Sequence, residues 1–521
     1  MPAERATSLN ADRRARDLAA LAAGEPVDVL VIGGGITGVG AALDAASRGL
    51  SVALVERRDL AHGTSRWSSK LIHGGVRYLL RGEVGLAYES ARERGHLMEW
   101  IAPHLVRPLP MMMPEWPGMS RLHAAYLHAG MWAPDALRLA AGTRRATLPR
   151  PRRLSRAETL RVAPGLRPEG LRGALMSWDG QLADDARLVV TVARTAAGYG
   201  ARVLTRCAAV EVTGGGARVR DELTGRVHDL AARSVINATG VWAASLANEV
   251  RLRPSRGTHL VVRRDRLGGL GAAFTVAVPG EPGRYVFAVP APGGLAYVGL
   301  TDEPVSGDPD EVAAPREHEV EFLLHTINTA LAGPLERADV LGAFSGLRPL
   351  LDDPAAGERT ADLSRRHAIT TGDDGVITAV GGKLTTYRRM ARDAVDAAVA
   401  RAALPAGPCR TARLPLVGAA PADVLDRVDA PRRLVHRYGT EAPAVVAAAG
   451  SDPALTRPLA PGIEVTGAEL LHGLRHEGAL DLDDLLDRRT RLGLVPADRE
   501  RAEQAAAELL PELPAAPTAT W

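Results

Sequence analysis

The segment that most restricts the fold is residues 27–56, VDVLVIGGGITGVGAALDAASRGLSVALVE. Val27 to Ile32 is an apolar, β-branched run too short for a buried helix, so it reads as a central parallel strand. Gly33-x-Gly35-x-x-Gly38 comes next, then an Ala-rich helical stretch to Ser47, a stop at Arg48-Gly49, and a second strand, Ser51 to Val55, ending on Glu56. Strand, glycine turn, helix and strand closed by an acid make a dinucleotide-binding βαβ unit. Gly33 permits the tight turn, Gly35 lets backbone N–H groups approach a pyrophosphate, and Gly38 lets helix and strand pack closely. Gly34 and Thr37 complete the turn. The helix start faces the phosphates, and Glu56 stands at the right distance to accept a ribose hydroxyl.

The residues just past this acid favour FAD over NAD. Thr64, Ser65, Ser68, Ser69, Lys70 and Leu71 supply many small donors where a long flavin nucleotide would continue. Then His73-Gly74-Gly75 and Arg77-Tyr78 bring a base, a fixed cation and a phenol beside two glycines. Hydride chemistry on a small anionic alcohol needs such a set.

A chain of 521 residues exceeds one ordinary core, so two or three domains are expected. No apolar run reaches the length of a membrane span, and residues 1–25 lack an apolar signal core. Cys207 and Cys409 make neither a disulfide framework nor a metal cluster, so a reducing, cytoplasmic setting is expected and no metal. The net charge of +3 is too small to predict a nucleic-acid partner from its sign. The kind of cation says more. Of 64 basic residues only two are lysine, Lys70 in SSKLIHGG and Lys383 in GGKLTTYR. A compact ammonium retained in two glycine-rich settings of an arginine-biased chain points to a flavin or substrate site at both.

Residues 1–26 form an N-terminal extension with a short helix from about Ala11, capped by Ser8 or Asn10. The oxidoreductase region spans 27–400, its FAD-binding part discontinuous (about 27–85, 171–254 and 365–400) and its substrate part at about 86–170 and 255–364. Helices are expected at 86–100, 188–199, 316–331 and 387–400, and strands at 201–205, 208–213, 217–222, 226–230, 233–237, 258–262, 274–278, 285–289, 296–300 and 376–380. Residues 108–132 hold five methionines with Trp116, Tyr126 and Trp132, ahead of an arginine run at 144–156. They suit either a core helix or an anionic membrane face, the former preferred. Six arginines without interleaved aromatics make a poor nucleic-acid platform. Residues 401–521 read as a separate helical domain with no chemistry of its own and a frayed end from Pro511. The fold class is therefore α/β: a discontinuous Rossmann-like domain, a mixed-sheet substrate domain and a C-terminal helical domain.

The segments VIGGGITG, GTSRWSSKLIHGGVRYL, APHLVRP, INATGVW, RGTHLVV, FSGLRPL, GGKLTTYRRMA and DLLDRRTRLGL together resemble the FAD-dependent glycerol-3-phosphate dehydrogenases over nearly the whole chain. The resemblance implies oxidation of sn-glycerol 3-phosphate to dihydroxyacetone phosphate on FAD, with electrons passed to a membrane quinone. It also implies a peripheral membrane protein on the inner face of the cell membrane, often a homodimer. The same flavin and substrate site would serve an oxidase that hands electrons to oxygen. Against the family pattern stand Trp67 in place of a small or polar residue, Val241 in place of Pro, Arg256 in place of Lys, Leu300 in place of Thr, and no aromatic after Pro290.

On this reading Gly33, Gly34, Gly35, Thr37, Gly38, Glu56, Thr64, Ser65, Ser69, Lys70, Leu71, Thr239, Gly240, Gly382, Lys383, Leu384 and Thr385 hold FAD. His73 and His259 are both candidates for the base that takes the carbinol proton, His259 preferred. Arg77 and Arg348 are placed to fork onto the phosphate, and Tyr78 to donate to the phosphate or a glycerol hydroxyl. Lys383, at a helix start, is placed to stabilise negative charge on reduced flavin.

Overall fold

The computed structural model describes residues 6–75, 78–79, 82–117, 132–247, 249–281, 283–352 and 366–510. Arg77, Tyr126 and the end from Pro511 lie outside the described residues.

The apolar run Val27–Ile32 is the middle of a sheet ordered His367–Thr371, Ile377–Gly381, Val227–Asn237, Val27–Ile32, Val52–Val55, Arg202–Leu204. All neighbours in it pair in parallel except the first two strands. Both faces are covered, which is why the strand is not an alternating sequence. Val29, Val31, Val52 and Leu54 pack under the helices Ile36–Ser47, Asp185–Gly198 and Tyr387–Ala402. Leu30, Ile32, Ala53 and Val55 pack against the N-terminal helix Ala11–Ala22 and the hairpin Cys207–Thr213/Gly216–Asp221. Asn10 caps that N-terminal helix, its side chain accepting from Arg13 N at 2.9 Å.

A second sheet runs Glu303–Pro304, Ser255–Arg263, Leu295–Gly299, Tyr285–Pro290, Ala273–Ala277, Val106–Glu115, Gly173–Leu182, Leu71–Ile72, with Val340–Arg348 also paired to Ser255–Arg263. Leu260 and Val262 point to a core shared with the helix Glu317–Asn328. Period-two alternation then turns Gly257 and His259 to the opposite face, toward the first sheet. The C-terminal segments include helices Gly467–His476 and Pro496–Leu509 around a small core of their own.

Three expectations change. Residues 226–237 form one strand, Val227–Asn237, because nothing between Leu230 and Arg233 turns the chain; its first half pairs with the hairpin and its second with Val27–Ile32. The helical reading of 401–521, which ran one helix over 423–438, is interrupted there: Ala422–Leu425 and Arg432–Tyr438 are separate helices, since Pro431 cannot continue one. The methionine-rich stretch opens as the strand Val106–Glu115 rather than as a helix: Met112 is buried and Met111 and Met113 line a cavity, while residues 118–131 lie outside the described residues.

Candidate active site

One cavity of 1980 Å³ lies between the two sheets. That is about twice the upper end of ordinary small-molecule pockets, room for a dinucleotide together with a small substrate. At one end are Gly33, Gly35, Thr37 and Glu56. Gly33 has φ +108°, and a Cβ there would lie 2.7 Å from the Ala238 carbonyl oxygen, so only glycine makes this turn. A Cβ on Gly38 would overlap the Gly33 carbonyl, which is the close helix–strand packing the fingerprint requires. Glu56 ends its strand with Oε2 accepting from Gly34 N at 2.6 Å and Oε1 from Arg58 N at 2.7 Å. Burial pushes its carboxyl above the ordinary value, opposed by those two backbone N–H groups.

The cavity continues past Thr64, Ser65, Ser69 and Leu71 on one side and Thr239 and Gly240 on the other. Ser65 Oγ accepts from Ile36 N at 2.9 Å, pinning the small-donor bend onto the first turn of the nucleotide helix. Thr64 Oγ1 donates to the Leu347 carbonyl at 2.6 Å, tying that bend to the strand that ends in Arg348. Gly382, Lys383, Leu384 and Thr385 form the far wall. A glycine-lined channel that ends on a strand-terminal carboxylate is the donor and acceptor set that a dinucleotide such as FAD requires.

At the other end the second sheet presents its polar face. His259 is buried, with its Nε2 2.9 Å from Ser69 Oγ and its ring stacked on Phe344 (centroids 4.9 Å apart, planes at 10°). Its Nδ1 has no hydrogen-bond partner among the described residues. Burial above all, then the charges of Lys70 and Arg348, hold its pKa well below the usual imidazole value, so it is neutral and able to accept a proton. Arg348 donates to Ser255 Oγ at 2.9 Å, Asp302 at 3.2 Å and the Thr301 carbonyl at 3.1 Å, and lines the cavity. Lys383 Nζ donates to Ser90 Oγ at 2.6 Å and sits 4.0 Å above the Tyr78 ring. His73 is half exposed, with Nδ1 3.6 Å from Asp179. Burial pushes the Asp179 carboxyl up, but Arg94 and His73 outweigh it and keep it ionised.

The cavity thus brings together His73, Tyr78, His259, Arg348 and Lys383. Lys70 is set apart: its ammonium is buried behind the wall, 3.3 Å from Asp185, and does not face the cavity. Gly34 and Gly38 act through backbone and packing rather than as lining. Sequence reasoning overlooked Asp179, Asp302, Ser90 and Asp185. Asp179 and Asp185 were visible only as a polar stretch, DGQLADDAR, with no spacing to mark either.

A family model described as FAD dependent oxidoreductase matches residues 28–388, and one described as the C-terminal domain of alpha-glycerophosphate oxidase matches 409–514. Glycerol-3-phosphate dehydrogenase 1 of Mycobacterium tuberculosis is 53% identical over 509 residues, 96% of this chain and 98% of its own. The chain belongs to the FAD-dependent glycerol-3-phosphate dehydrogenase family. A mitochondrial glycerol-3-phosphate dehydrogenase of Arabidopsis thaliana is 36% identical, over 95% of this chain and 84% of its own. Among solved structures, the glycerol-3-phosphate dehydrogenase of Bacillus halodurans complexed with FAD superposes with a TM-score of 0.75 at 28% identity, covering 97% of this chain and 94% of that one. The protein is an FAD-dependent oxidoreductase.

Its departures from the family pattern find structural places. Trp67 stacks on Phe344 at 5.8 Å and lies under the guanidinium groups of Arg66 and Arg491. Arg256 is buried against Glu319 at 2.8 Å. Leu300 lines the cavity beside Gly257.

Proposed function

We propose that the protein oxidises sn-glycerol 3-phosphate to dihydroxyacetone phosphate on FAD and passes the electrons to a quinone at an anionic membrane surface. The observation that carries the first part is the convergence of a neutral buried imidazole with Arg348 and Lys383 at the end of a dinucleotide channel. FAD supplies the acceptor for the carbinol hydride. His259 takes the hydroxyl proton at Nε2 by way of the Ser69 hydroxyl, which stands 2.9 Å from that nitrogen and lines the cavity. Arg348, held by Ser255 and Asp302, presents a fixed fork to the phosphate. Lys383 adds positive charge beside it and stabilises charge developing on the flavin side. His73, oriented by Asp179, positions the substrate.

The membrane part is supported by an apolar face on two packed helical segments. No described helix is long and apolar enough to cross a membrane. Yet Val84, Tyr88, Trp100, Trp132 (76% exposed) and Leu139 are exposed large apolar side chains on these segments. Ala87 and Ala91 of the first segment pack on Leu137 of the second. Arg92, Arg145 and Arg413 are exposed as well, Arg413 over the Trp100 ring at 5.4 Å. Aromatic residues with a cationic rim suit an anionic lipid surface. A nucleic-acid partner is disfavoured, because Arg144, Arg150, Arg152 and Arg153 of the arginine run each pair with a carboxylate.

Anaerobic addition of glycerol 3-phosphate should bleach the bound flavin, and menaquinone or ubiquinone should restore it faster than air. An unchanged oxidised spectrum would overturn the substrate; faster reoxidation by air, with peroxide, would make it an oxidase. Sedimentation with phosphatidylglycerol vesicles should carry the protein down, and Trp132→Glu with Leu139→Glu should abolish this while dye-linked turnover in solution persists.

A further inference from the structure

Lys70 is the lysine that the proposed reaction does not use, and its setting is costly. It has φ +56°, a left-handed backbone that residues other than glycine rarely adopt. Its ammonium is 1% exposed, donating to the Ser68 carbonyl at 3.1 Å and to Asp185 at 3.3 Å. Asp185 Oδ2 also accepts from Ser68 N at 2.9 Å and Ser68 Oγ at 2.8 Å, and Lys70 N donates to Ser68 Oγ at 3.0 Å. A buried ion pair gives no more stability than well-packed apolar groups of the same shape, so stability alone is a weak reason to keep one. Between Ser68 and Lys70 stands Ser69, whose hydroxyl meets His259 Nε2. The Lys70 ammonium lies 4.4 Å from the centre of the Phe344 ring on which His259 is stacked. One ring therefore touches both the cation and the imidazole, and both are buried away from bulk solvent.

We propose that Lys70, clamped by Asp185, is a positioning residue that holds Ser69 against His259 and, through its weakly screened charge, keeps the imidazole unprotonated in the working enzyme. The inference rests on the reading of His259 as the base. The other charged groups facing this pair are Arg348 from the neighbouring strand, Asp184 beside Asp185 at the start of the helix, and Arg491 from the C-terminal segment, whose Nη2 is 3.8 Å from Asp185. Burial and Lys70 both disfavour the imidazolium. Arg491 also donates to the Arg66 carbonyl at 2.6 Å, so the C-terminal domain steadies the same bend from behind.

The test is the pH profile of kcat/KM of the FAD-loaded enzyme. Lys70→Met, which removes the charge but keeps the stem, should move the acid limb up by about one pH unit, the size expected of a unit charge at this range in a partly relaxed interior. Burial holds the Lys70 pKa down at about 8 even with Asp185 beside it, so Asp185→Asn, which removes the carboxylate that keeps the ammonium charged, should move the limb up as well. Lys70→Arg, which keeps the charge, should leave the limb in place, and a purely structural role would not separate Lys70→Met from Lys70→Arg. Coincident limbs for wild type and Lys70→Met, at equal FAD content, would overturn the proposal, as would a downward shift in either Lys70→Met or Asp185→Asn. If Lys70→Met does not take up FAD, Asp185→Asn carries the test, and an unmoved limb overturns it. His259→Asn separates the underlying reading: an acid limb that survives in that variant means His259 is not the base, whatever Lys70 does.

Discussion

Lys383 and Lys70 both sit in glycine- or serine-rich loops that adjoin a strand, and they are the two compact cations of an arginine-rich chain. Their surroundings are opposite. Lys383 stands just past the end of a parallel strand with its ammonium at the cavity, shared between Ser90 and the Tyr78 ring. Lys70 is sealed behind the cavity wall on a carboxylate. Behind Lys70 the seam to the C-terminal domain is filled with ions: Arg488 and Arg489 both donate to Asp59 at 2.6 Å, and Arg206 lies on Asp484 at 2.9 Å. The cavity side holds charges partly open to a ligand, and the seam holds charges closed on one another. Residues of the seam behind Lys70 should therefore fail in folding when changed, and those on the cavity side in catalysis.

The largest effect is expected from the seam. Asp59→Asn leaves the buried Arg489 guanidinium without its anion and Arg488 with Asp484 alone, a loss of about 3–5 kcal/mol. The two arginines beside it hold the Asp59 carboxyl well below the carboxylate range against the opposing effect of burial, so the charge is present at every working pH. Thermal unfolding and denaturant titration should show the loss, with kcat/KM of the remaining folded enzyme near wild type. A catalytic defect at unchanged stability would erase the distinction between the two sides.

On the cavity side, Lys383→Met should lower kcat/KM roughly a hundredfold, about 3 kcal/mol for a charge-assisted contact made in the transition state, with flavin content and melting temperature unchanged. Arg348→Ala should act mainly on KM for the phosphorylated substrate, by about tenfold or more, because it removes binding of a group that does not react. Equal loss of FAD and substrate affinity would mean that Arg348 serves the cofactor.

The contrast also marks what sequence can carry. The nucleotide end was legible because it is local and made of backbone: Gly33, Gly38 and Glu56 lie within one βαβ unit, and each is demanded by a turn or a short approach. The substrate end was legible by residue type but not by direction. The rarity of lysine marked both Lys70 and Lys383, yet nothing in SSKLIHGG shows that the left-handed Lys70 turns its side chain away from the cavity. The seam was illegible. Asp59 reads as a loop acid and Arg488-Arg489 as a charged helix face, and only the tertiary fold brings together residues from opposite ends of the chain. The same holds for the packing of Ala87 and Ala91 on Leu137, which joins two segments separate in sequence.

The smallest predicted effect sharpens the contrast on the seam side by pH rather than by deletion of a contact. His104 is buried, and neither ring nitrogen has a hydrogen-bond partner among the described residues. Burial first, and then the nearby charge of Arg187, pull its pKa down from 6.5 to about 3. In the unfolded chain the imidazole takes up a proton below 6.5, whereas the folded one stays neutral until far lower pH. The unfolded state therefore binds more protons, and the stabilisation is complete above 6.5 and lost as pH falls below it. At pH 5.5 this one histidine should cost about 1.4 kcal/mol relative to pH 7.5, a drop in melting temperature of about 1 °C. His62 and His472 are neutralised by burial in the same way, their pKa values lowered to about 2 and about 3, and should add to the wild-type slope. His104→Leu should remove one such increment from the difference between the two pH values while leaving the pH profile of turnover in place, since His104 does not touch the cavity. A variant whose melting temperature falls as steeply with acid as wild type would place the titration elsewhere, and one whose turnover profile shifts would tie the seam to the chemistry more closely than its geometry does.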